Sequence, residues 1–308
     1  MVMKRWADVC LEAYCSNGKV GFLYSEMHDS AAIIATRLNY SKIERDILCS
    51  LFAAFSTLSL ILNSENCSAA EIFCKLDGAV GGFYVRITHK GEICGYLHNR
   101  VVLPSSIDVD DDKALFNYIF GIRAKFEVIR YTAEGEKKDL LGAECSAWPD
   151  EILKHIVQHF MNRKATVILN FGASNNDAPC YSLVVVNNAM LSKSNKEYIR
   201  LSSKESISKI QEVFATCASV SAFRVELDVP DLLTGPGLTI QPGCTCSEAN
   251  VIEEYKKLSD AEFKQLGTRE PTQNSSEEVY SYEFRCNRCG RLYNVKRCIP
   301  LTPKASEK

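Results

Sequence analysis

The chain has 308 residues, of which 46% are hydrophobic and 24% charged, so its composition is that of an ordinary globular protein with room for about two domains. Its net charge of −2 leaves no overall positive charge to attract nucleic acid or anionic lipid. The first residues are not followed by the long apolar run of a secretion signal, so we expect a cytoplasmic protein.

In chain order, the pattern first predicts a short helix over residues 6–16. Ser41 and Glu44 then form a capping box, which predicts the start of a long helix over residues 42–62. The apolar part of that helix is too short for a bilayer span, so we interpret it as a buried helix of the core.

Segments rich in β-branched and aromatic residues, with turn signals between them, predict a series of strands. These strands are expected at 19–24, 70–75, 82–88, 93–99, 125–131, 138–144, 167–171 and 181–187. Further helices are expected at 29–38 and after Pro149, which is followed by two acids that suit a helix N-terminus. We therefore predict one α+β domain over residues 1–192, mixing sheet and helix.

A change in composition over residues 193–203, which are polar and rich in serine and lysine, indicates a domain boundary. A helical pattern follows, and its apolar positions are Ile207, Ile210, Val213, Phe214 and Cys217. Pro230 and Gly235-Pro-Gly237 then break regular structure. We predict an amphipathic helical linker over residues 193–240 that docks on the first domain without being deeply embedded.

Four cysteines near the C-terminus are the strongest functional signal: Cys244, Cys246, Cys286 and Cys289. Two close pairs joined by a long polar spacer are typical of a tetrahedral zinc site, in which each pair supplies two thiolates. A C-x-C pair is unusual in an ordinary zinc ribbon and can close into a local disulfide when the metal leaves. The spacing therefore predicts a redox-responsive module over residues 241–298 that binds one Zn²⁺ per chain.

The residues around the second cysteine pair carry a positive charge and a strand pattern. Five basic residues occur without an acid between them: Arg285, Arg288, Arg291, Lys296 and Arg297. They could offset the charge of four thiolates, form a solvated face, or contact nucleic acid. A hairpin around the pair is predicted from Tyr282, Phe284, Tyr293 and Val295. Cys298 is expected to be a free thiol.

Cysteine usage elsewhere indicates a reducing compartment. Of 14 cysteines, five lie between Cys244 and Cys298, and the other nine are scattered without a repeating spacing. Scattered thiols of this kind usually behave as small buried hydrophobic residues in a reduced protein.

Residues 1–192 contain no pattern that indicates catalysis, and we expect the protein not to be an enzyme. His155 and His159 lie one helical turn apart, but the three residues between them do not include the glutamate of a metalloprotease helix. We therefore expect both to be surface or packing histidines. A thiol–disulfide oxidoreductase would need a cysteine at a helix N-terminus, whereas the residues beside Cys286 have a strand pattern. A constitutive zinc ribbon that binds nucleic acid is the main alternative function.

The cysteine motif resembles that of the thirty-three-kilodalton heat-shock protein family of redox-regulated holdase chaperones, C-x-C-S…C-x-x-C-G-x-x-Y. The matching residues here are Cys244-Thr-Cys246-Ser247 and Cys286-Asn-Arg-Cys289-Gly290-Arg-Leu-Tyr293. Residues 76–82 are similar to the family's G-D-G-P-L-G-G turn, with Ala79 where proline is usual. The order of elements also fits over nearly the whole chain, although the spacer between the cysteine pairs is longer than usual, and residues 268–278 resemble an insertion.

The resemblance implies an ATP-independent molecular chaperone that is inactive while reduced and zinc-bound. Oxidation would form disulfides, expel zinc and unfold the zinc module and linker, so that apolar surface could bind unfolding client proteins. Candidate client-binding residues are Ile207, Ile210, Val213 and Phe214. The resemblance also implies ATP-dependent refolding chaperones as partners and a homodimer in the oxidised state.

The disulfides expected after oxidation join sequence neighbours, Cys244 with Cys246 and Cys286 with Cys289. Closing such a short loop costs less entropy than bridging the 39 residues between the pairs. Beyond the module, residues 299–308 are expected to form a flexible tail.

Overall fold

The chain divides into two compact units, Met1–Gly243 and Cys244–Lys308. The structure is a computed structural model, and it describes residues 8–15, 18–108, 111–170, 180–188, 195–209, 228–244, 246–271 and 277–300. Ile210, Val213, Phe214 and Cys217 lie outside the described residues.

The larger unit mixes sheet and helix, which confirms the predicted α+β class. Its strands are β1 (Val9–Cys15), β2 (Val20–Met27), β3 (Cys67–Leu76), β4 (Gly82–Thr88), β5 (Glu92–Leu97), β6 (Arg123–Thr132), β7 (Lys137–Ser146), β8 (Ala165–Asn170), β9 (Cys180–Asn187), β10 (Leu233–Thr234), β11 (Leu238–Thr239) and β12 (Gln241–Pro242). Its helices are α1 (Asp29–Arg37), α2 (Lys42–Ser56), α3 (Leu58–Ser64), α4 (Asp112–Phe120), α5 (Pro149–Met161) and α6 (Lys196–Leu201), and residues 204–209 are also helical.

These strands form two six-stranded sheets. The first runs in the order β10-β1-β2-β9-β8, with β11 also beside β1, and the second in the order β12-β5-β4-β3-β6-β7. Apart from the parallel pairing of β12 with β5, the pairings are antiparallel.

Helix α2 forms the core between the two sheets, because it packs against β2 and β9 of the first and β4 and β5 of the second. The predicted capping box is present at its start: the Ser41 hydroxyl accepts from the Glu44 N–H, and the Glu44 carboxylate accepts from the Ser41 N–H. Residues Lys42–Ser64 are apolar and long enough to cross a membrane by composition alone, but 83% of the most apolar window is buried inside the protein. The interpretation as a buried core helix is confirmed.

The prediction of a helix over residues 6–16 is wrong, because Val9–Cys15 form strand β1. All seven residues of β1 pair with β2, from Val9 opposite Glu26 to Cys15 opposite Val20. Strands β10 and β11 add to its other edge. Backbone pairing along both edges outweighs a local helical preference worth less than about 1 kcal/mol per residue.

The segment before the first cysteine pair lies along both sheets. Strands β10 and β11 extend the first sheet, and β12 extends the second, where the Gly243 N–H donates to the Ile93 carbonyl at 2.6 Å. Upstream, Ile207 packs against a buried cluster on the first sheet that includes Phe22 and Leu183. The segment predicted as a helical linker thus contains α6, the helical residues 204–209, and then short strands.

Over its described residues, the smaller unit contains a three-stranded sheet and two helices. Its elements are α7 (Glu248–Lys256), α8 (Asp260–Leu266), β13 (Thr268–Glu270), β14 (Glu277–Arg285) and β15 (Leu292–Pro300). The predicted hairpin is confirmed: β14 and β15 pair antiparallel, with Phe284 opposite Tyr293 and Tyr282 opposite Val295. The two helices lie between the cysteine pairs in sequence and were not predicted.

Candidate metal centre

The second cysteine pair lies in the tight turn that joins β14 to β15. The turn is closed by two backbone hydrogen bonds of 2.8 Å, from the Gly290 N–H to the Cys286 carbonyl and from the Cys286 N–H to the Arg291 carbonyl. Gly290 has a φ of 73°, a left-handed conformation that glycine adopts without steric cost. This turn brings the Cys286 and Cys289 side chains to the same end of the hairpin.

The first cysteine pair is held immediately before α7. Ser247 caps that helix, since its hydroxyl accepts from the Asn250 N–H at 3.2 Å. The cap fixes the chain direction just after Cys246. A short polar residue that follows the pair therefore has a structural role in placing it.

The four sulfur atoms meet as a cluster whose Sγ atoms all lie within 4.8 Å of one another. The Sγ atoms of Cys244 and Cys286 are 3.7 Å apart, and those of Cys246 and Cys289 are 3.3 Å apart. Four thiolates bound to one Zn²⁺ at about 2.3 Å in a tetrahedron would place their sulfur atoms about 3.8 Å from each other. The cysteines are thus arranged as a site that could hold a metal ion.

Contact among the sulfur atoms lowers the pKa of Cys286 and raises the pKa values of Cys244 and Cys289. Hydrogen bonds from Cys244 and Cys289 lower the pKa of Cys286. Hydrogen bonding to Cys286 raises the pKa of Cys244 to about 11, and hydrogen bonding to Cys244 and Cys286 raises that of Cys289. One thiolate is therefore stabilised by protonated neighbours, and all four can ionise together only when a cation offsets their repulsion.

Among the described residues outside the cysteine set, the Tyr293 side chain reaches a sulfur of the cluster. Its hydroxyl donates to the Cys246 Sγ at 3.1 Å. Burial and the neighbouring Cys246 raise the pKa of Tyr293, so the phenol keeps its proton at neutral pH. The sequence identified Tyr293 as a strand residue of the hairpin and as the tyrosine of the cysteine motif, but neither pattern shows which atom its hydroxyl group contacts.

The predicted basic cluster is partly used inside the smaller unit. Arg297 donates to the Leu258 and Tyr255 carbonyls and stacks over the Phe263 ring at 4.6 Å, so it ties β15 to α7 and α8. Lys296 pairs with Glu270 at 2.7 Å. Since these two charges have partners within the unit, fewer remain for nucleic acid than the sequence suggested.

Cys298 lies away from the cluster within the smaller unit, and His155 and His159 belong to the larger unit. Cys298 is exposed and lies opposite Val279 in the hairpin. It is six residues along β15 from Leu292, where the strand begins next to the cysteine turn, which is a distance of about 20 Å at 3.3 Å per residue. His155 and His159 are exposed on α5, beside the Phe126 and Phe160 rings respectively. Over the described residues, the four cysteines are the one group that could ligate a metal.

Comparison with known proteins supports the fold. No family model matches the chain, and no curated protein matches it. Among solved structures, the chain is similar to the crystal structure of a 33 kDa chaperonin, a heat shock protein 33 homologue from Thermotoga maritima. The TM-score is 0.59 at 14% sequence identity, over 94% of this chain and 95% of that one. The two chains therefore share a fold along almost their whole length.

Proposed function

We propose that this protein is an ATP-independent chaperone that binds unfolding proteins when its four-cysteine centre is oxidised. The observation that carries this proposal is the cluster of Cys244, Cys246, Cys286 and Cys289, with all Sγ atoms within 4.8 Å, in a chain with the fold of a 33 kDa chaperonin. The fold supports the chaperone class, and the cluster supports a metal-dependent switch.

The metal in this proposal is zinc, held by all four cysteines in the reduced protein. Thiolates favour soft or borderline metals, and four of them in a tetrahedron suit Zn²⁺ or an iron centre. Zinc carries no redox chemistry of its own, so oxidation would occur at the sulfur atoms. When bound, zinc would supply cross-linking and charge neutralisation, while the chain supplies the thiolates that can be oxidised.

Metal loss would unfold the smaller unit because that unit has little other core. Among the described residues of this unit, the buried large apolar side chains are few: Val251, Phe263, Tyr293, Val295 and Ile299. In a module of this size, metal binding supplies much of the folding free energy. The proposed disulfides, Cys244–Cys246 and Cys286–Cys289, would consume the ligands in pairs.

In this proposal, the segment before Cys244 couples metal loss to client binding. Ile207, a candidate client-binding residue, packs against the first sheet, where an apolar cavity of ≈ 20 Å³ lies beside Phe22, Leu183 and Leu232. If that segment detaches after metal loss, the sheet face and the Ile207 side chain become available together. Unfolded clients would bind such apolar surface without ATP.

The decisive experiment combines metal analysis with an aggregation assay. The reduced protein should contain about one zinc per chain, and Cys298→Ser should leave that ratio unchanged, whereas Cys289→Ser should lose tight binding. Increasing hydrogen peroxide should release zinc and, over the same range, suppress aggregation of a thermally unfolding reporter enzyme. Full zinc binding by Cys289→Ser would contradict the ligand set, and suppression that is equal before and after oxidation would contradict the switch.

A further inference from the structure

The four cysteines of the cluster differ in their exposure. Cys244, Cys286 and Cys289 are buried, at 3%, 6% and 2% exposed, whereas Cys246 is partly exposed. A groove of ≈ 590 Å³, whose lining includes Cys244, Cys246 and Cys286, opens between α7 and the Cys286 turn. A small electrophile in solvent can therefore approach the cluster, and Cys246, the most exposed of the four cysteines, would be the most vulnerable ligand if exposure alone set reactivity.

The Tyr293 hydroxyl counteracts the reactivity that this exposure would give to Cys246. It lies 3.1 Å from the Cys246 Sγ, and a thiolate can only accept this hydrogen bond. The ring is held in place: Tyr293 is 5% exposed, stacks with Phe284 at 6.4 Å between centroids, and has the Arg291 guanidinium over it at 5.1 Å. The hairpin thus presents a fixed donor to the sulfur of the most exposed cysteine in the cluster.

We infer that Tyr293 is a positioning residue that holds the Cys246 thiolate and lowers its reactivity toward electrophiles. The hydrogen bond stabilises negative charge on the sulfur, and that charge falls as the sulfur attacks. In the reaction with peroxide, an S–O bond forms, the O–O bond breaks and hydroxide leaves. Sulfur is oxidised to a sulfenic acid, and a neighbouring thiolate then displaces hydroxide to give a disulfide. The donor therefore favours the reactants over the transition state.

The size of the effect follows from the strength of the bond and the charge lost. Hydrogen bonds to charged groups are among the strongest in proteins, and a thiolate loses about half of its charge in nucleophilic attack. Removing the donor should therefore speed the reaction of Cys246 by roughly three- to tenfold. The effect of Tyr293 on the reactivity of Cys246 does not depend on the proposed function. Only its consequence, a change in the oxidant dose at which the switch operates, rests on that proposal.

The test is the rate at which each cysteine reacts with iodoacetamide in the reduced full-length protein, resolved by mass spectrometry. Tyr293→Phe removes the hydroxyl and keeps the ring. Tyr280→Phe is the matched control, because it is a hairpin tyrosine whose hydroxyl bonds to Glu278 instead. We expect Tyr293→Phe to speed alkylation of Cys246 three- to tenfold relative to Cys244, Cys286 and Cys289, with no change in the control.

A second variant tests the sign of the effect. Incorporation of 3-fluorotyrosine at position 293 gives a stronger hydrogen-bond donor and should slow alkylation of Cys246. Equal acceleration of all four cysteines in Tyr293→Phe would show a loosened module, and unchanged rates would show an inert hydroxyl; either result overturns the inference. Zinc content is measured on the same samples, so a metal-free protein would contradict the proposed function while the Cys246 rate ratio still tests Tyr293.

Discussion

Arg130 brings a positive charge into the interior of the larger unit, and Asp139 on the neighbouring strand neutralises it. The two residues are paired across β6 and β7, and the Arg130 Nε donates to both carboxylate oxygens at 2.8 and 3.1 Å. The guanidinium also lies 4.0 Å above the Phe160 ring. Hydrogen bonding to Arg130 lowers the pKa of Asp139. Breaking such a pair leaves a charge that is only 7% exposed without its counter-ion.

We expect Asp139→Asn to reduce the free energy of unfolding by about 1–3 kcal/mol at pH 7. Because folding lowers the pKa of Asp139, its stabilisation is present above the unfolded-state pKa of about 3.9 and is lost as pH falls toward the folded-state value. The difference between the variant and the unchanged protein should therefore shrink at pH 3. Urea unfolding at both pH values measures it.

The control for that prediction is Glu144→Gln on the same strand. Glu144 faces Lys125 at 4.0 Å with both side chains exposed, so its loss should cost less than about 1 kcal/mol at either pH. An Asp139→Asn effect of equal size at pH 7 and pH 3 would show that the ion pair with Arg130 is not its source.

At the scale of elements, the turn between β3 and β4 forms hydrogen bonds with both the end of α4 and the start of β6. Asp77 Oδ1 accepts from the Ile122 and Arg123 N–H groups at 2.8 and 3.0 Å. The Ala79 N–H donates to the Tyr118 carbonyl at 2.9 Å. A Cβ on Gly78 would lie 2.4 Å from backbone atoms of residues 120 and 121, so no side chain fits there. Close packing against the backbone therefore accounts for the glycine at position 78.

Gly78→Ala should destabilise the larger unit by about 1–3 kcal/mol, because the atoms that the methyl group meets are backbone and cannot swing away. Gly142→Ala is the matched control, since no atom lies within 4 Å of its Cβ position. That variant should cost nothing or stabilise the strand slightly. Thermal unfolding of both variants decides the matter, and an equal loss from the two substitutions would refute the steric explanation.

At the scale of the whole molecule, the two compact units depend on different sources of stability. The larger unit has an extensive apolar core around α2, whereas the smaller one relies on a few apolar residues, Arg297 and the cysteine cluster. The units should therefore respond differently when the metal is removed.

Chelation of the reduced protein should abolish the hydrogen-exchange protection of β14 and β15 while leaving that of β3 and β4 unchanged. The reason is that metal binding contributes folding free energy only to the unit that holds the ligands. Exchange measured by mass spectrometry, with and without chelator, tests this expectation. Simultaneous loss of protection in both units would mean that they fold as one, and retained protection in β14 and β15 would mean that the hairpin needs no metal.

Much of the candidate site could be predicted because its signals are local. The spacing of the four cysteines carries ligand chemistry in itself, the capping box at Ser41 needs only four residues, and strand β4 was predicted with the bounds that it has in the structure. The alternation of apolar residues likewise predicted the hairpin, in which Tyr282 lies opposite Val295 and Phe284 opposite Tyr293. These features depend on side-chain type and short-range periodicity, and both can be recognised in a short stretch of sequence.

Tertiary structure alone decided the rest. Val9–Cys15 became a strand because β2, β10 and β11 offered it partners at distant positions. The Tyr293 hydroxyl reaches Cys246, 47 residues away, only because the hairpin and the start of α7 converge on the cluster. Arg297, which suggested a nucleic-acid contact in the sequence, turned inward to the carbonyls that end α7. In each case the deciding free energy comes from groups far apart in the chain, and their proximity is a property of the folded state.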